Sequence, residues 1–246
     1  MDESYGRSYQ ILYENHWWWR SREAALLDVI QALKPPHGFG RILDVGCGNG
    51  VFFDRLRPFG ETEGVESSAE LLDPNGKHRA RIHVAPFDAR FQPGRRYGLV
   101  LMLDVLEHLP DPSAALRHAL GLLEPGGKIV ITVPAFRMLW TTHDDLNHHF
   151  TRYTKRSFAG VAREAGLRID RARYWYQWTF PVKLAVRVAE KLLGSKPSNP
   201  TIPPGPINRA LCWLSRAEQK LFTSVPAPFG SSLLVVGGAA ESDPPG

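Results

Sequence analysis

The sequence has little cysteine and no long apolar run, and each scarcity excludes a class of protein. Cys47 and Cys212 are the only cysteines in 246 residues, too few for the disulfide framework of a small secreted domain. No uncharged apolar run approaches the ~18 residues that a membrane-spanning helix needs. The first residues lack the apolar centre of a secretory signal peptide. Together these absences predict a cytoplasmic protein.

Charge is unevenly distributed along the chain. The formal net charge is +5, from 30 Lys and Arg against 25 Asp and Glu. Residues 151–220 hold 14 basic and 4 acidic side chains, a net charge of +10 that leaves −5 for the rest. The sequence shows no zinc-ligand spacing, basic zipper or internal repeat beside this basic segment. We therefore expect an anionic partner, and nucleic acid is an unlikely one.

Short apolar runs alternate with stretches of helical spacing over most of the chain. The predicted helices cover residues 17–34, 51–56, 113–123 and 156–165, and the predicted strands cover residues 41–46, the run that ends at 66, 81–84, 98–103, 128–133, 169–178 and 231–236. This alternation is typical of βαβ units. It predicts an α/β fold with a mostly parallel sheet and helices on both faces.

About fifty residues separate the last two predicted strands, which is too long for an ordinary loop. Pro181 and Gly194 bracket a helix at residues 182–193, and a Pro-rich connector leads to a second helix. The apolar face of that second helix is predicted to contain Ile207, Ala210, Leu211, Leu214, Leu221 and Phe222. The predicted organisation is a helical lid (1–40), a core (41–178), a helical insert (179–229), a last strand (230–240) and a disordered tail (241–246).

A glycine-rich turn carries the clearest chemical signal. Gly46, Gly48 and Gly50 follow an apolar run that contains Asp44, at a junction between a strand and a helix. Glycines there let a ligand approach the backbone, and Glu66, at the end of the next strand, can accept hydrogen bonds from ribose hydroxyls. Gly50 follows Gly48 by two positions rather than three, which disfavours a nicotinamide-dependent oxidoreductase. An acid in the turn suits a ligand that carries an ammonium group.

A series of ordered motifs resembles those of the class I S-adenosylmethionine-dependent methyltransferases, in particular their ubiquinone-biosynthesis-like, small-molecule branch. Residues 42–50 resemble motif I, and residues 64–68, 87–89, 103–109 and 123–131 are similar to the later motifs and strand five. The resemblance implies a Rossmann-like fold of seven strands, with an antiparallel last strand inserted between strands five and six. It also implies the cofactor S-adenosyl-L-methionine, with binding roles for Asp44, Gly46, Gly48, Gly50, Glu66, Asp88, Ala89 and Asp104.

A polar loop after the fifth strand is predicted to form the acceptor side. It resembles a loop found in some of these methyltransferases, although Thr151 stands where an arginine is usual. Histidines are the preferred bases for a hydroxyl acceptor, so His108, His143 and His149 are the catalytic candidates. The predicted substrate-binding residues are Trp140, Asp144, Arg152 and Tyr153. The histidines and acids of the loop have no regular metal-ligand spacing, so we predict hydrogen bonding there and no metal.

The sequence thus predicts a methyltransferase that acts on a small-molecule or lipid-linked acceptor. A non-catalytic cofactor-binding protein or membrane adaptor is the second alternative. Lys183, Arg187 and Lys191 recur every four residues and form a basic stripe on the first insert helix. That helix can pack against the body, or it can lie in an anionic membrane interface and give peripheral contact with the inner face of the membrane.

Overall fold

One mixed sheet organises the protein. In the computed structural model, which describes residues 11–193, 200–222 and 227–240, seven strands have the order β3-β2-β1-β4-β5-β7-β6. The strands are β1 (Arg41–Val45), β2 (Glu61–Glu66), β3 (Ile82–Val84), β4 (Tyr97–Leu103), β5 (Leu123–Pro134), β6 (Leu167–Trp175) and β7 (Ser232–Ala239). Strand β7 pairs antiparallel with both β5 and β6, and the other pairs are parallel. The predicted Rossmann-like topology is confirmed.

Helices cover both faces of the sheet. They are α1 (Trp17–Leu33), the short α2 (Phe53–Leu56), α3 (Pro112–Gly121), α4 (Thr142–Leu146), α5 (Lys155–Ala165), α6 (Thr179–Leu193) and α7 (Gly205–Leu221). One apolar core joins α3 and α5 to a face of the sheet, and a second joins α1 and α2 to the opposite face. Because parallel strands end at one edge, this packing collects the turns after β1, β4 and β5 at the carboxyl edge.

The boundary between β6 and α6 differs from the prediction. Strand β6 ends at Trp175 rather than at Trp178, because Tyr176 has a left-handed backbone with φ of 62° that ends the ladder. Helix α6 begins at Thr179, so Pro181 lies inside its first turn, where its missing N–H costs no helical hydrogen bond. The predicted lid residues 1–10 and tail 241–246 lie outside the described residues.

The apolar face predicted for the second insert helix faces outward. Ile207, Leu214 and Leu221 of α7 are exposed, whereas Asn208, Ser215, Glu218 and Gln219 are buried. Hydrogen bonds explain this orientation. Asn208 accepts from the backbone N–H of Trp17, and Glu218 accepts from those of Gln177 and Trp178. These contacts hold the polar side of α7 against α1 and the start of α6.

The basic stripe predicted on α6 also faces the body in part. The guanidinium of Arg187 donates to the carbonyl of Arg137 at 3.0 Å, and Glu190 of the same helix face accepts from the Thr142 hydroxyl at 3.0 Å. Lys191 remains exposed. Helix α6 therefore covers the loop after β5. Within the described parts of the chain, no helix combines the length and the apolar character needed to cross a bilayer.

Candidate cofactor and acceptor sites

The glycine turn follows β1 directly at the carboxyl edge. Gly46, Gly48 and Gly50 have φ of 70°, 49° and 70°, a backbone that side chains other than glycine rarely adopt. A Cβ on Gly46 would lie 2.9 Å from Val105, whereas a Cβ on Gly48 would meet no atom within 4 Å. The turn is thus packed against the protein at Gly46 and open above Gly48, where a ligand can approach the backbone.

The two predicted acids of the cofactor site lie against this turn. The carboxylate of Glu66 accepts from the backbone N–H of Gly48 and from that of Ser68, each at 3.1 Å. Asp44 is buried, and burial raises its pKa to about 7, with the charge of Arg22 opposing the rise. Once it has lost its proton, a buried acid stabilises a cationic group placed beside it. The structure therefore brings together both predicted halves of the nucleoside site.

Arg22 of α1 lies beside two predicted cofactor acids, Asp44 and Asp104, and sequence reasoning did not single it out. Its guanidinium lies 2.8 Å from the Asp104 carboxylate and 5.3 Å from the centre of the Trp18 ring, and the residue is 8% exposed. Asp104 follows β4 in a left-handed conformation, with φ of 57°, and also accepts from the Thr132 hydroxyl at 3.0 Å. The sequence signal for Arg22 is a charged residue on the apolar side of the helix that begins at Trp17.

Asp88 and Ala89 bind residues of their own segment rather than residues of the glycine turn. The carboxylate of Asp88 binds the Arg90 guanidinium at 2.6 Å, and its side chain is 42% exposed. The carbonyl of Ala89 accepts from Gln92.

A separate polar cleft of about 800 Å³ lies between α1, α7 and the far side of the glycine turn, and none of the predicted site residues lines it.

A buried acid organises the acceptor loop. Asp144 of α4 is fully buried and accepts from His149 Nδ1 at 2.8 Å and from two nitrogens of Arg152 at 2.8 Å each. Although burial opposes its ionisation, these hydrogen bonds hold the pKa of Asp144 well below its usual range. An Nδ1–H that donates to Asp144 leaves Nε2 of His149 as the proton acceptor. The predicted loop residues Asp144, His149 and Arg152 thus form one hydrogen-bonded unit.

His108 joins this unit from the turn after β4. Its ring centre lies 4.6 Å from that of His149, and burial lowers the pKa of His108 to about 4. Glu107 beside it is 1% exposed, and burial raises its pKa, with the Asp104 carboxylate adding to the rise. Glu107, His108 and His149 offer atoms that all lie within 4.8 Å of one another. These three groups could hold a cation, although the predicted absence of a metal stays a prediction.

The remaining candidates have separate partners. The indole N–H of Trp140 donates to Asp145, and Tyr153 is buried, with its hydroxyl donating to the Leu106 carbonyl. Desolvation lowers the pKa of His143 to about 4, and the charge of Lys183 adds to the effect. Burial lowers the pKa of Lys183 to about 8, while Asp144 and Asp104 oppose the shift. Lys183 of the insert is thus close enough to the acceptor loop for its charge to act on His143.

A glycine turn with an acid at the end of the neighbouring strand defines a nucleoside-binding α/β protein. More narrowly, the chain belongs to the methyltransferase domain family, whose model matches residues 18–172. S-adenosyl-L-methionine is the expected cofactor of this family. The residues present fit it, because the space above Gly48 is open, Asp44 suits an ammonium group and Glu66 suits ribose hydroxyls.

Individual relatives agree with the family. The chain is 28% identical over 152 residues to a ubiquinone biosynthesis O-methyltransferase of Xanthomonas euvesicatoria. These aligned residues make up 53% of this chain and 63% of that protein. It is 18% identical to a methyltransferase structure in the complex with the Haloferax volcanii Trm112 activator, with a TM-score of 0.58 and coverage of 98% and 96%. An Archaeoglobus fulgidus SAM-dependent methyltransferase gives a TM-score of 0.51 at 17% identity, covering 87% and 91%. The structural likenesses support the fold.

Proposed function

We propose that the protein transfers a methyl group from S-adenosyl-L-methionine to a hydroxyl oxygen of a small-molecule or lipid-linked acceptor. The position of Asp104 carries the proposal. Asp104 binds Arg22 beside the glycine turn, and its charge also acts on Glu107 and His108 beside the acceptor loop. This position supports the proposal, because an in-line transfer requires the donor and acceptor residues to lie close together.

On the donor side, the chain supplies charge complementarity. When bound, the cofactor supplies an electrophilic methyl group on its sulfonium. Asp44 would accept from the ammonium group of its amino-acid part, Glu66 would accept from the ribose hydroxyls, and Arg22 would bind the carboxylate. Charge-assisted bonds of this kind contribute ~1.5–3 kcal/mol each, so the three residues would hold the cofactor at the glycine turn.

On the acceptor side, His149 is the proposed general base. Its Nδ1–H donates to Asp144, so Nε2 is free to take the proton of an acceptor hydroxyl as the oxygen attacks. Asp144 is a positioning residue, because it fixes the imidazole without contacting the acceptor. His108 packs against the His149 ring and is uncharged at neutral pH, since its pKa is about 4. The name of the Xanthomonas relative supports oxygen as the methylated atom.

Binding and transfer can be tested in sequence. Calorimetry should detect S-adenosylhomocysteine binding to the purified protein and no binding of NAD. Incubation with methyl-tritiated S-adenosylmethionine and a panel of phenols, hydroxy acids and polyprenyl-linked phenols should then label one acceptor class. NAD binding without S-adenosylhomocysteine binding would favour the oxidoreductase. Cofactor binding with no labelled product over the whole panel would favour a non-catalytic protein or adaptor.

A further inference from the structure

The two insert helices expose apolar side chains that a soluble surface would normally bury. We call these residues the outer apolar face; each is between 40% and 79% exposed, and the set comprises Val182, Val186, Val188, Leu192 and Leu193 of α6 with Ile207, Trp213, Leu214 and Leu221 of α7. Isolated exposed apolar residues are ordinary, but nine on two helices are not. On each helix these residues are exposed, whereas polar side chains hold the other side of the helix to the body, and an exposed apolar side of this kind marks an interaction surface.

The orientation of this face is fixed by the polar sides of both helices. Arg187 and Glu190 hold α6 to Arg137 and Thr142, and Glu218 holds α7 to the start of α6. Ser215 accepts from the Trp178 indole at 3.1 Å. Turning either helix to bury its apolar side would break these hydrogen bonds and leave buried partners unpaired. The free energy lost in this way would oppose the free energy gained by burying the apolar side chains. The apolar residues therefore stay on the outside.

The charges beside the face decide between partners. The exposed charged residues of α6 and α7 are Lys191, Arg209 and Lys220, all basic, whereas Glu190 and Glu218 turn inward. A second copy of the chain in a two-fold dimer would place these basic groups against the same face of its partner. An anionic lipid surface offers both the apolar interior and the opposite charge.

We propose that the outer apolar face docks the protein on the surface of an anionic phospholipid membrane. Its side chains would enter the boundary between headgroups and acyl chains, and Trp213 would act as an interfacial anchor. The polar side of α6 covers the acceptor loop, so docking would place that loop about one helix diameter, ~10 Å, from the lipid. Membrane binding does not depend on the proposed methyl transfer. The further step to a lipid-embedded acceptor rests on that proposed function.

Sedimentation with vesicles tests docking without any activity measurement. The probes are vesicles of phosphatidylglycerol and phosphatidylcholine in equal parts, and vesicles of phosphatidylcholine alone, at low and high salt. We expect binding to the anionic vesicles, weakened by salt. The variant Lys191→Gln/Arg209→Gln/Lys220→Gln should bind on the order of 100-fold more weakly, at about fivefold per charge. A control with the same loss of charge, Arg57→Gln/Arg156→Gln/Arg163→Gln, changes exposed residues elsewhere and should lose much less.

A second pair of variants tests the apolar part. Leu192→Gln/Leu193→Gln on α6 and Trp213→Gln/Leu214→Gln on α7 should each lower vesicle binding at least tenfold, while Val84→Gln, an exposed apolar residue on β3, should not. No binding at low salt, or equal binding by these variants and the control, overturns the proposal. A wild-type dimer in analytical ultracentrifugation that the α6 or α7 variant dissociates also overturns it. Unchanged S-adenosylhomocysteine affinity in every variant separates a docking failure from a failure of the proposed function.

Discussion

The Arg22 guanidinium donates to the Asp104 carboxylate at 2.8 Å and thereby joins the first described long helix to the end of β4. Asp44 lies close enough to the same guanidinium for the positive charge to lower the pKa of Asp44 and oppose the effect of burial. Arg22 therefore lies between two acids of the predicted cofactor site, and its guanidinium can bind more than one partner because it carries five N–H groups. Helix α1 therefore contacts the predicted cofactor residues through Arg22 as well as packing in the core.

Replacing Arg22 should weaken cofactor binding. We expect Arg22→Gln to reduce S-adenosylhomocysteine affinity by roughly 10- to 100-fold, because it removes a charge-assisted bond to the carboxylate worth ~1.5–3 kcal/mol. Arg20→Gln on the exposed side of the same helix is the matched control and should bind normally. Calorimetry measures both, with a melting curve to confirm folding. Equal affinity in the two variants would remove Arg22 from the cofactor site.

Cofactor affinity should depend on pH through Asp44. Its pKa of about 7 means that the carboxyl group is largely protonated at pH 6 and must lose its proton to accept from an ammonium group. Affinity should therefore rise by up to about tenfold per pH unit below pH 7 and level off above it. Calorimetry of S-adenosylhomocysteine between pH 5.5 and 8.5 measures this slope. Asp44→Asn should bind weakly and lose the slope, and a retained slope would show that another group titrates.

The sheet was predictable because its signals are local. Apolar runs and glycine turns predict the strands and the position of Glu66 at the end of β2, and the family resemblance implies the strand order that the structure shows. The apolar face of helix α7 was predictable but its outward orientation was not, because apolar periodicity carries no information about Glu218 binding two backbone N–H groups of the β6–α6 junction. Arg22 was missed for the same reason. Its partner Asp104 is distant in sequence, and pairing of that kind depends on the assembled fold.

The acceptor loop should control turnover more than cofactor affinity. Once an acceptor is known, His149→Asn should lower kcat by roughly 10²- to 10⁴-fold, the usual contribution of a general base, with S-adenosylhomocysteine affinity nearly intact. The adjacent His148→Asn is the matched control, because His148 is exposed and asparagine tolerates its left-handed backbone, with φ of 56°. Collapse of cofactor affinity in His149→Asn would instead place His149 on the donor side or in a structural role.

Removal of metal should leave turnover unchanged. His149 can act as a base only while its Nε2 is free, and a cation held by Glu107, His108 and His149 would occupy that atom. Acceptor methylation by the purified protein should therefore be equal before and after dialysis against EDTA, and added Zn²⁺ should not raise it. His108→Ala provides a second test. It should leave the metal content of the purified protein unchanged at near zero, as measured by plasma mass spectrometry. Loss of turnover on chelation, restored by one divalent metal and abolished in His108→Ala, would contradict the base mechanism and show that the cluster binds a metal.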